Sequence, residues 1–357
     1  MSLTPRLGQT GRALLGPGVA LLFALLCGEL LVLCCGAAPG RVFSALLAGT
    51  WGNPYGLGQV LFKATPLVLT GLAVAIPYRA GLLNIGAEGQ VVLGALATGV
   101  VGMSLPAACP AWLALPAAAG AGFLAGAAWG ALPGWLKARS GAHEVITSIM
   151  LNFVALALAN WLVAAHLAVP ESLHTPAVVA GARLARLARW LPALHGSALN
   201  LSTLLALGLA SWAWWLLFRT RLGFGLRTVG CSPRAALFAG ISPGRIGTLA
   251  MAVGGGMAGL VGCNFVLGYK GWYEDGFSGG VGFVGIAVAL LGRAHPAGVV
   301  LAALLFGTLS QGGLAINALV PKELVDVLQA LVVLALLCTS RDLRRAALAA
   351  RQARSAA

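Results

Sequence analysis

Residues 89–136 read GQVVLGALATGVVGMSLPAACPAWLALPAAAGAGFLAGAAWGALPGWL and contain no Asp, Glu, Lys or Arg. About 20 apolar residues cross a hydrocarbon core of roughly 30 Å, so this stretch has room for two membrane spans. Lipid offers the backbone no hydrogen-bond partners, and a crossing segment therefore closes its own hydrogen bonds as a helix. The stretch predicts an all-α, polytopic transmembrane bundle.

The rest of the chain has the same character. Of its 357 residues, 59% are hydrophobic and 9% are charged, and the mean hydropathy is +0.91. A soluble domain carries about 25% charged residues, so a water-soluble globule is excluded. The bilayer is the environment that this composition fits.

About ten spans are predicted, and the third and eighth are short and rich in glycine, which favours broken or re-entrant helices. The predicted spans are residues 15–38, 57–79, 86–104, 110–135, 145–169, 200–218, 247–269, 279–292, 296–315 and 325–340. With both termini in the cytoplasm, 16 of the 23 Lys and Arg residues lie inside, as the positive-inside rule requires.

Three segments follow from this topology. We expect a cytoplasmic N-terminal tail (1–14), a transmembrane domain (15–340) with a cytoplasmic loop at 219–246, and a basic cytoplasmic tail (341–357). The basic excess does not indicate nucleic-acid binding, because the charges lie between apolar spans and not on one face.

Two segments match parts of enzyme sequence signatures but lack other features that those signatures require. The GxGxxG of residues 280–285 follows no predicted strand and has no acidic residue about 20 positions on, as a dinucleotide site requires. His143 and Glu144 begin a zinc-protease pattern, but Thr147 stands where the second histidine is needed. We therefore predict no catalytic residue, no metal site and no enzyme activity.

Residues 81–90 form a polar, glycine-interrupted stretch in apolar surroundings. Asn84, Glu88 and Gln90 stand close together there. An ionisable group within a membrane is costly to bury, so it indicates a functional site by default. The alternatives are that Glu88 lies in a wet interfacial loop or pairs with Arg79, and that Asn84 and Gln90 brace a broken helix.

A second glycine-rich segment, residues 276–283, occupies a similar place in the other half of the chain and ends at Phe283. Paired glycine-interrupted segments indicate a transport site at a repeat interface. Glu144, Thr147, Ser148 and Asn152 share one face of a helix and either join helices or line a pathway. The candidate pathway residues are Asn84, Glu88, Gln90, Asn152 and Phe283.

The cytoplasmic loop contains a predicted short helix. Ser232 and Pro233 are favourable first residues, Ala235 and Ala236 are strong helix formers, and Gly240 can end the turn. Basic residues surround it, so it is either a docking element for a partner or an ordinary basic loop.

Two patterns concern packing alone. Gly122, Gly126, Gly130 and Gly134 recur every four residues, a spacing that lets transmembrane backbones approach closely. In the segment 171–199, arginines recur every three residues between apolar ones, which predicts an amphipathic helix at the membrane interface.

The chain resembles the ABC-importer permeases for nucleosides and simple sugars, which are related to the ribose and branched-chain amino-acid permeases. The resemblance covers about residues 55–340, and the string NIGAEGQ at 84–90 is its most specific part. It also includes TPLVLTGL (65–72), EVITSIMLN (144–152), the Ala235-Ala236…Gly240 loop, GFVGIAVALLGR (282–293), Pro296-Ala-Gly298 and Gly312-Gly313.

The resemblance implies a complex in a prokaryotic cell (inner) membrane. Its partners would be a cytoplasmic ABC ATPase, a second related permease or another copy of this chain, and an extracellular or periplasmic substrate-binding lipoprotein. Arg234, Ala235, Ala236 and Gly240 would contact the ATPase, although the glutamate of the best-known coupling loop is missing. The chain has no GxxxxGK[ST] loop, so we expect it to bind no cofactor, with ATP used by the partner.

The resemblance implies transport of a nucleoside or simple sugar by alternating access. The alternatives are a permease of the same superfamily for branched-chain amino acids or ribose-type sugars, and an ion-coupled secondary transporter. Ion coupling usually needs carboxylates within the spans, and only Glu29 and Glu88 are good candidates.

Overall fold

The computed structural model of the protein describes Leu22, residues 26–321, residues 323–331 and Leu334. Regular structure in this part of the chain is entirely helical, which confirms the predicted all-α class. The predicted tails, 1–14 and 341–357, lie outside the described residues, as does half of the predicted tenth span.

Most predicted spans have a helix close to their bounds, but the helix Pro39–Thr50 lies in none of them. In chain order the helices are α1 (Leu26–Cys34), α2 (Pro39–Thr50), α3 (Pro54–Arg79), α4 (Ala87–Ser104), α5 (Ala111–Ser140), α6 (Glu144–Leu162), α7 (Ser202–Arg219), α8 (Arg221–Cys231), α9 (Pro233–Phe238), α10 (Pro243–Gly259), α11 (Val281–Leu291) and α12 (Pro296–Ile316). Short π-helical segments, Val163–Leu167 and Cys263–Lys270, extend α6 and follow α10.

Six of the described helical segments are long and apolar enough to cross a membrane, and α1 with α2, bent by 112°, would make a seventh. The six are α3, α4, α5, α6 with its extension, α10 with its extension, and α12. Helix α11 has 11 residues and thus a length of about 16 Å, too short for a core of roughly 30 Å. The predicted eighth span is therefore too short to cross as a single helix, whereas the predicted third span is the continuous helix α4.

The chain forms two compact units. One consists of the described residues up to 53 and from 308 onwards, and its apolar core contains Val32, Val42, Ile316, Val320 and Val325.

The other unit consists of residues 54–307. Here 89% of the 18-residue apolar stretch of α3 is buried, and 78% of that of α10 with its extension. The corresponding stretches of α5 and α6 are each only 22% buried. Helices α3 and α10 are thus central, and α5 and α6 are peripheral.

Helices α5 and α10 touch along the predicted glycine spacing. A Cβ atom added to Gly126 would lie 2.3 Å from the carbonyl oxygen of Gly255, and one added to Gly259 would lie 2.1 Å from that of Gly122. The neighbours are backbone atoms, which cannot move aside independently. The prediction that these glycines serve close helix packing is confirmed.

The segment 171–199 is not the amphipathic helix that its periodicity predicted. It forms three short 3₁₀ turns, Ala180–Ala182, Leu187–Arg189 and Pro192–Leu194. Its amides donate to distant carbonyls instead, since Val178 N–H bonds to Gly271 O at 2.8 Å and Leu184 N–H to Leu267 O at 2.9 Å. These long-range hydrogen bonds replace the i→i−4 bonds of a helix.

Candidate functional site

Glu88 lies in the first turn of α4 and is only 4% exposed. Its Oε1 accepts a hydrogen bond from the Ser278 hydroxyl at 2.5 Å, and its Oε2 accepts one from the Gly282 amide at 2.7 Å. Gly282 is the second residue of α11, where backbone amides have no partner within the helix and an anion is stabilised. The carboxylate therefore joins the start of α4 to the start of α11.

Glycine permits this contact. A Cβ atom on Gly282 would lie 2.4 Å from the Glu88 amide nitrogen and 2.5 Å from its Cα. The approach to α11 also turns through Gly276, Gly279 and Gly280, with φ angles of +71°, +54° and +81°. Other residues rarely adopt such angles, so the glycine-rich segment is needed to bring α11 to Glu88.

Asn84 and Gln90 bond to each other. Asn84 Nδ2 donates to Gln90 Oε1 at 2.9 Å, and Gln90 Nε2 donates to Asn84 Oδ1 at 3.0 Å. Asn84 Nδ2 also donates to the carbonyl of Ala73 at 3.1 Å. Both side chains are buried, so this amide pair braces the non-helical connection between α3 and α4.

Asn152 supports the same connection from α6. Its Oδ1 accepts from the Gly89 amide and its Nδ2 donates to the carbonyl of Ile85, both at 2.9 Å. Arg79, the alternative partner of Glu88, donates instead to the carbonyl of Ala294 at 2.8 Å. The wet-loop and Arg79-pairing alternatives for Glu88 are therefore wrong.

The five predicted pathway residues lie at the start of α4 and on the connection before it, and on α6 and α11, which both pack against α4. Four are buried and hydrogen-bonded, and Phe283, which follows Gly282, is 48% exposed. Sequence reasoning did not single out Ser278, the hydroxyl partner of Glu88. The only sequence signal for it was its place in the glycine-rich segment.

A chain of aromatic rings leads to this cluster and was also missed. The ring of Phe62 lies 5.2 Å from Tyr269 and 5.9 Å from Phe265, and Phe265 lies 5.3 Å from Phe277. Phe277 directly precedes Ser278. The rings come from three separate parts of the chain, so no local pattern could have indicated the group.

The loop 219–246 folds into α8 and α9, with the predicted short helix at the predicted place. The Ser232 hydroxyl oxygen accepts a hydrogen bond from the Ala235 amide at 3.3 Å, and Ala236 is fully buried. Gly240 follows with a φ of +75° and open space where a Cβ would be. The helix start and the terminating glycine are thus as predicted.

Helix α9 presents apolar side chains to its surroundings. Phe238 is 95% exposed and Leu237 is 61% exposed, and Arg234 and Ala235 beside them are also exposed. Two large apolar side chains on a basic loop form a compact contact surface, hereafter the α9 knob, of the kind that a partner protein covers. Sequence reasoning did not single out either side chain as a contact residue.

The apolar helices of this fold are those of a multi-pass membrane protein. The family model described as "branched-chain amino acid transport system / permease component" matches residues 56–337. The chain belongs to this family, whose members are ABC permease subunits and thus transport components rather than enzymes. No solved structure matches the chain.

Curated relatives match over most of their length. The guanosine ABC transporter permease protein NupP of Bacillus subtilis is 38% identical over 90% of this chain and 92% of its own. The glucose ABC transporter permease protein TsgB13 of Haloferax volcanii is 35% identical, covering 92% and 88%. The nucleoside ABC transporter permease protein NupB of Lactococcus lactis is 33% identical, covering 90% of each.

Second permeases from two of these organisms, NupQ and NupC, also match this chain. The related permeases thus occur as pairs, which supports a second permease as a partner of this chain.

Proposed function

We propose that this chain forms the translocation pathway of an ATP-driven nucleoside importer. The observation that carries the proposal is the 38% identity to a guanosine permease over nine-tenths of both chains. Substrate would cross by alternating access, with the site around Glu88 alternately open to the two sides. The relative named for glucose makes a simple sugar the second candidate.

The cluster around Glu88 would shape the pathway wall. Asn84, Gln90 and Asn152 use their amide groups to brace the connection between α3 and α4, so their part is to hold the wall in place. Phe283 is the exposed member and would face the substrate. Glu88 would set the position of Phe283 through its hydrogen bond to the neighbouring Gly282 amide.

This chain of aromatic rings is suited to stacking against a planar ring of the substrate. Nucleobases stack on aromatic side chains with about 1–3 kcal/mol per base in nucleic-acid complexes. Phe265 and Phe277 are partly exposed and lead towards Ser278 and Glu88. A nucleoside could place its base against these rings and its hydroxyl groups near the polar cluster.

Phe277→Leu should therefore raise the KM for a nucleoside by about tenfold, because stacking is lost while apolar bulk is largely kept. KM is measured by concentration-dependent uptake into proteoliposomes containing the whole complex. Phe153→Leu is the matched control, since Phe153 lies on peripheral α6 and is 64% exposed. Equal KM values for the two variants would show that the chain of aromatic rings takes no part in substrate binding.

A separate ATPase would drive the cycle and would seat on the α9 knob. The partners that we propose are this cytoplasmic ATPase, a second permease and an external substrate-binding lipoprotein, with no cofactor bound by this chain itself. Affinity purification of the tagged chain from its own membranes, followed by mass spectrometry, tests the assembly. Recovery without any ATPase subunit would contradict the proposal.

Gly240→Val should reduce transport without preventing membrane insertion. The φ of +75° costs a β-branched residue about 1–2 kcal/mol, so the turn after α9 shifts and the α9 knob is misplaced. Gly240→Asn is the matched control, because asparagine tolerates this conformation better. Substrate-stimulated ATP hydrolysis measures the coupling, and parental activity in Gly240→Val would remove the loop as the ATPase contact.

The proposed topology has about ten spans with both termini in the cytoplasm of a prokaryotic cell whose inner membrane holds the complex. Single cysteines introduced into a background without the seven native ones test it by labelling from each side. Positions 227, 293 and 344 should react from the cytoplasm, and positions 171 and 274 from outside. Labelling at 274 from the cytoplasm alone would overturn this arrangement.

A further inference from the structure

An apolar groove runs between α7 and α12. It has a volume of about 510 Å³ and is lined by Leu207, Ala210, Ser211, Trp214, Ala297, Val300 and Leu301. The hydroxyl of Ser211, its one small polar group, donates to the carbonyl of Leu207 at 3.0 Å within its own helix. The groove therefore suits a hydrocarbon ligand rather than a polar one.

The groove continues into a smaller cavity of about 110 Å³. The two share Leu207 and Val300, and the cavity reaches Thr203. From Thr203 to Trp214 the rise along α7 is about 17 Å, which is close to half of a hydrocarbon core of roughly 30 Å. The apolar path thus has the depth of one leaflet.

Positive charge lies at the Trp214 end of the groove. The guanidinium of Arg219 lies 5.8 Å from the centre of the Trp214 ring. One turn along the helix, the guanidinium groups of Arg79 and Arg227 lie 5.6 Å and 5.5 Å from the centre of the Phe218 ring. The aromatic rings hold these three guanidinium groups near the mouth of the groove.

In the part of the chain that the structure describes, no carboxylate forms an ion pair with Arg79, Arg219 or Arg227. His295, whose ring lies 5.4 Å from Phe218, is two residues before groove-lining Ala297. Burial and then the charge of Arg79 lower the pKa of His295, so the arginines carry the positive charge at neutral pH.

We infer that this groove and its arginines bind an anionic phospholipid, with an acyl chain in the groove and the phosphate on Arg79, Arg219 and Arg227. Guanidinium groups match phosphate oxygens in geometry and charge. The arginines lie at the end that the proposed topology places in the cytoplasm, where the leaflet surface is negatively charged. The lipid would fill the space between α7 and α12 and neutralise the cluster.

The test uses the purified complex of both permeases and the ATPase in nanodiscs of phosphatidylglycerol and phosphatidylcholine at equal amounts. Native mass spectrometry measures which lipid stays bound. The parent should prefer phosphatidylglycerol, and Arg219→Gln with Arg227→Gln should reduce that preference about 25-fold, or about fivefold for each charge. Arg139→Gln is the matched control, because Arg139 lies 5.9 Å over Trp135 in the same way at the end of α5.

A second variant tests the groove. Ala297→Trp should expel the lipid, whereas Ala128→Trp, at an exposed position on α5, should not. Equal retention of the two lipids by the parent, or an equal loss in Arg139→Gln, would overturn the inference. Loss of the second permease in Ala297→Trp would assign the groove to a partner helix instead. If Ala297→Trp does not fold, the lipid preference of the double arginine variant, compared with that of Arg139→Gln, is the test.

Discussion

Gly126→Leu should leave almost no folded protein in the membrane, whereas Gly120→Leu on the same helix should be tolerated. A Cβ on Gly126 would lie 2.3 Å from the carbonyl oxygen of Gly255, so α5 and α10 would be forced apart. We expect a loss of about 3 kcal/mol or more, the upper range for overpacking. Yield and thermal unfolding in detergent, followed by size-exclusion chromatography, measure the effect.

The control is closely matched. Gly120 lies in α5 too, but nothing lies within 4 Å of a Cβ added there. Both substitutions add the same side chain to the same helix, so propensity and hydrophobicity are equal. A similar loss in both variants would attribute the effect to glycine itself and not to the contact with α10.

Glu88→Leu should abolish nucleoside uptake by an assembled complex, and Glu88→Gln should retain part of it. Leucine leaves the Ser278 hydroxyl and the Gly282 amide without their acceptor, and each lost hydrogen bond to a charged group is worth about 1.5–3 kcal/mol. Glutamine can still accept from Gly282, and the Ser278 hydroxyl can rotate to accept from the new amide. Uptake into proteoliposomes, normalised to co-purified ATPase, measures the series.

Ser278→Ala provides the graded control, because it removes one of the two hydrogen bonds and leaves the carboxylate in place. Its uptake should fall between those of the parent and Glu88→Leu. If Glu88→Leu assembles and transports like the parent, Glu88 has no part in shaping the pathway.

Hydropathy and glycine spacing predicted where most helices lie, because both are local properties, but the described residues contain six or seven candidate spans and not about ten. A charge-free run near residue 100 requires helices in lipid, whatever else the chain contains. The glycine spacing in α5 similarly depends on one face of one helix. The end of the loop helix followed from Gly240, whose positive φ is a local requirement too.

Long-range partners could not be predicted. Ser278 and Gly282 lie 190 and 194 positions from Glu88, and nothing local indicates that the carboxylate meets the start of α11. The same limit explains the error at 171–199, where periodicity indicated a helix but amides such as that of Val178 bond to the distant Gly271. The cluster of polar residues was predictable, whereas the contacts within it were not.

The most direct test of the central claim is uptake of labelled guanosine, uridine, glucose and leucine into proteoliposomes containing the co-purified complex. The account predicts uptake of at least one nucleoside that requires ATP and the binding protein and is lost when the ATPase is inactivated. Uptake of leucine or glucose alone would reassign the substrate while keeping the importer. Nucleoside uptake that continues without ATP would contradict the account.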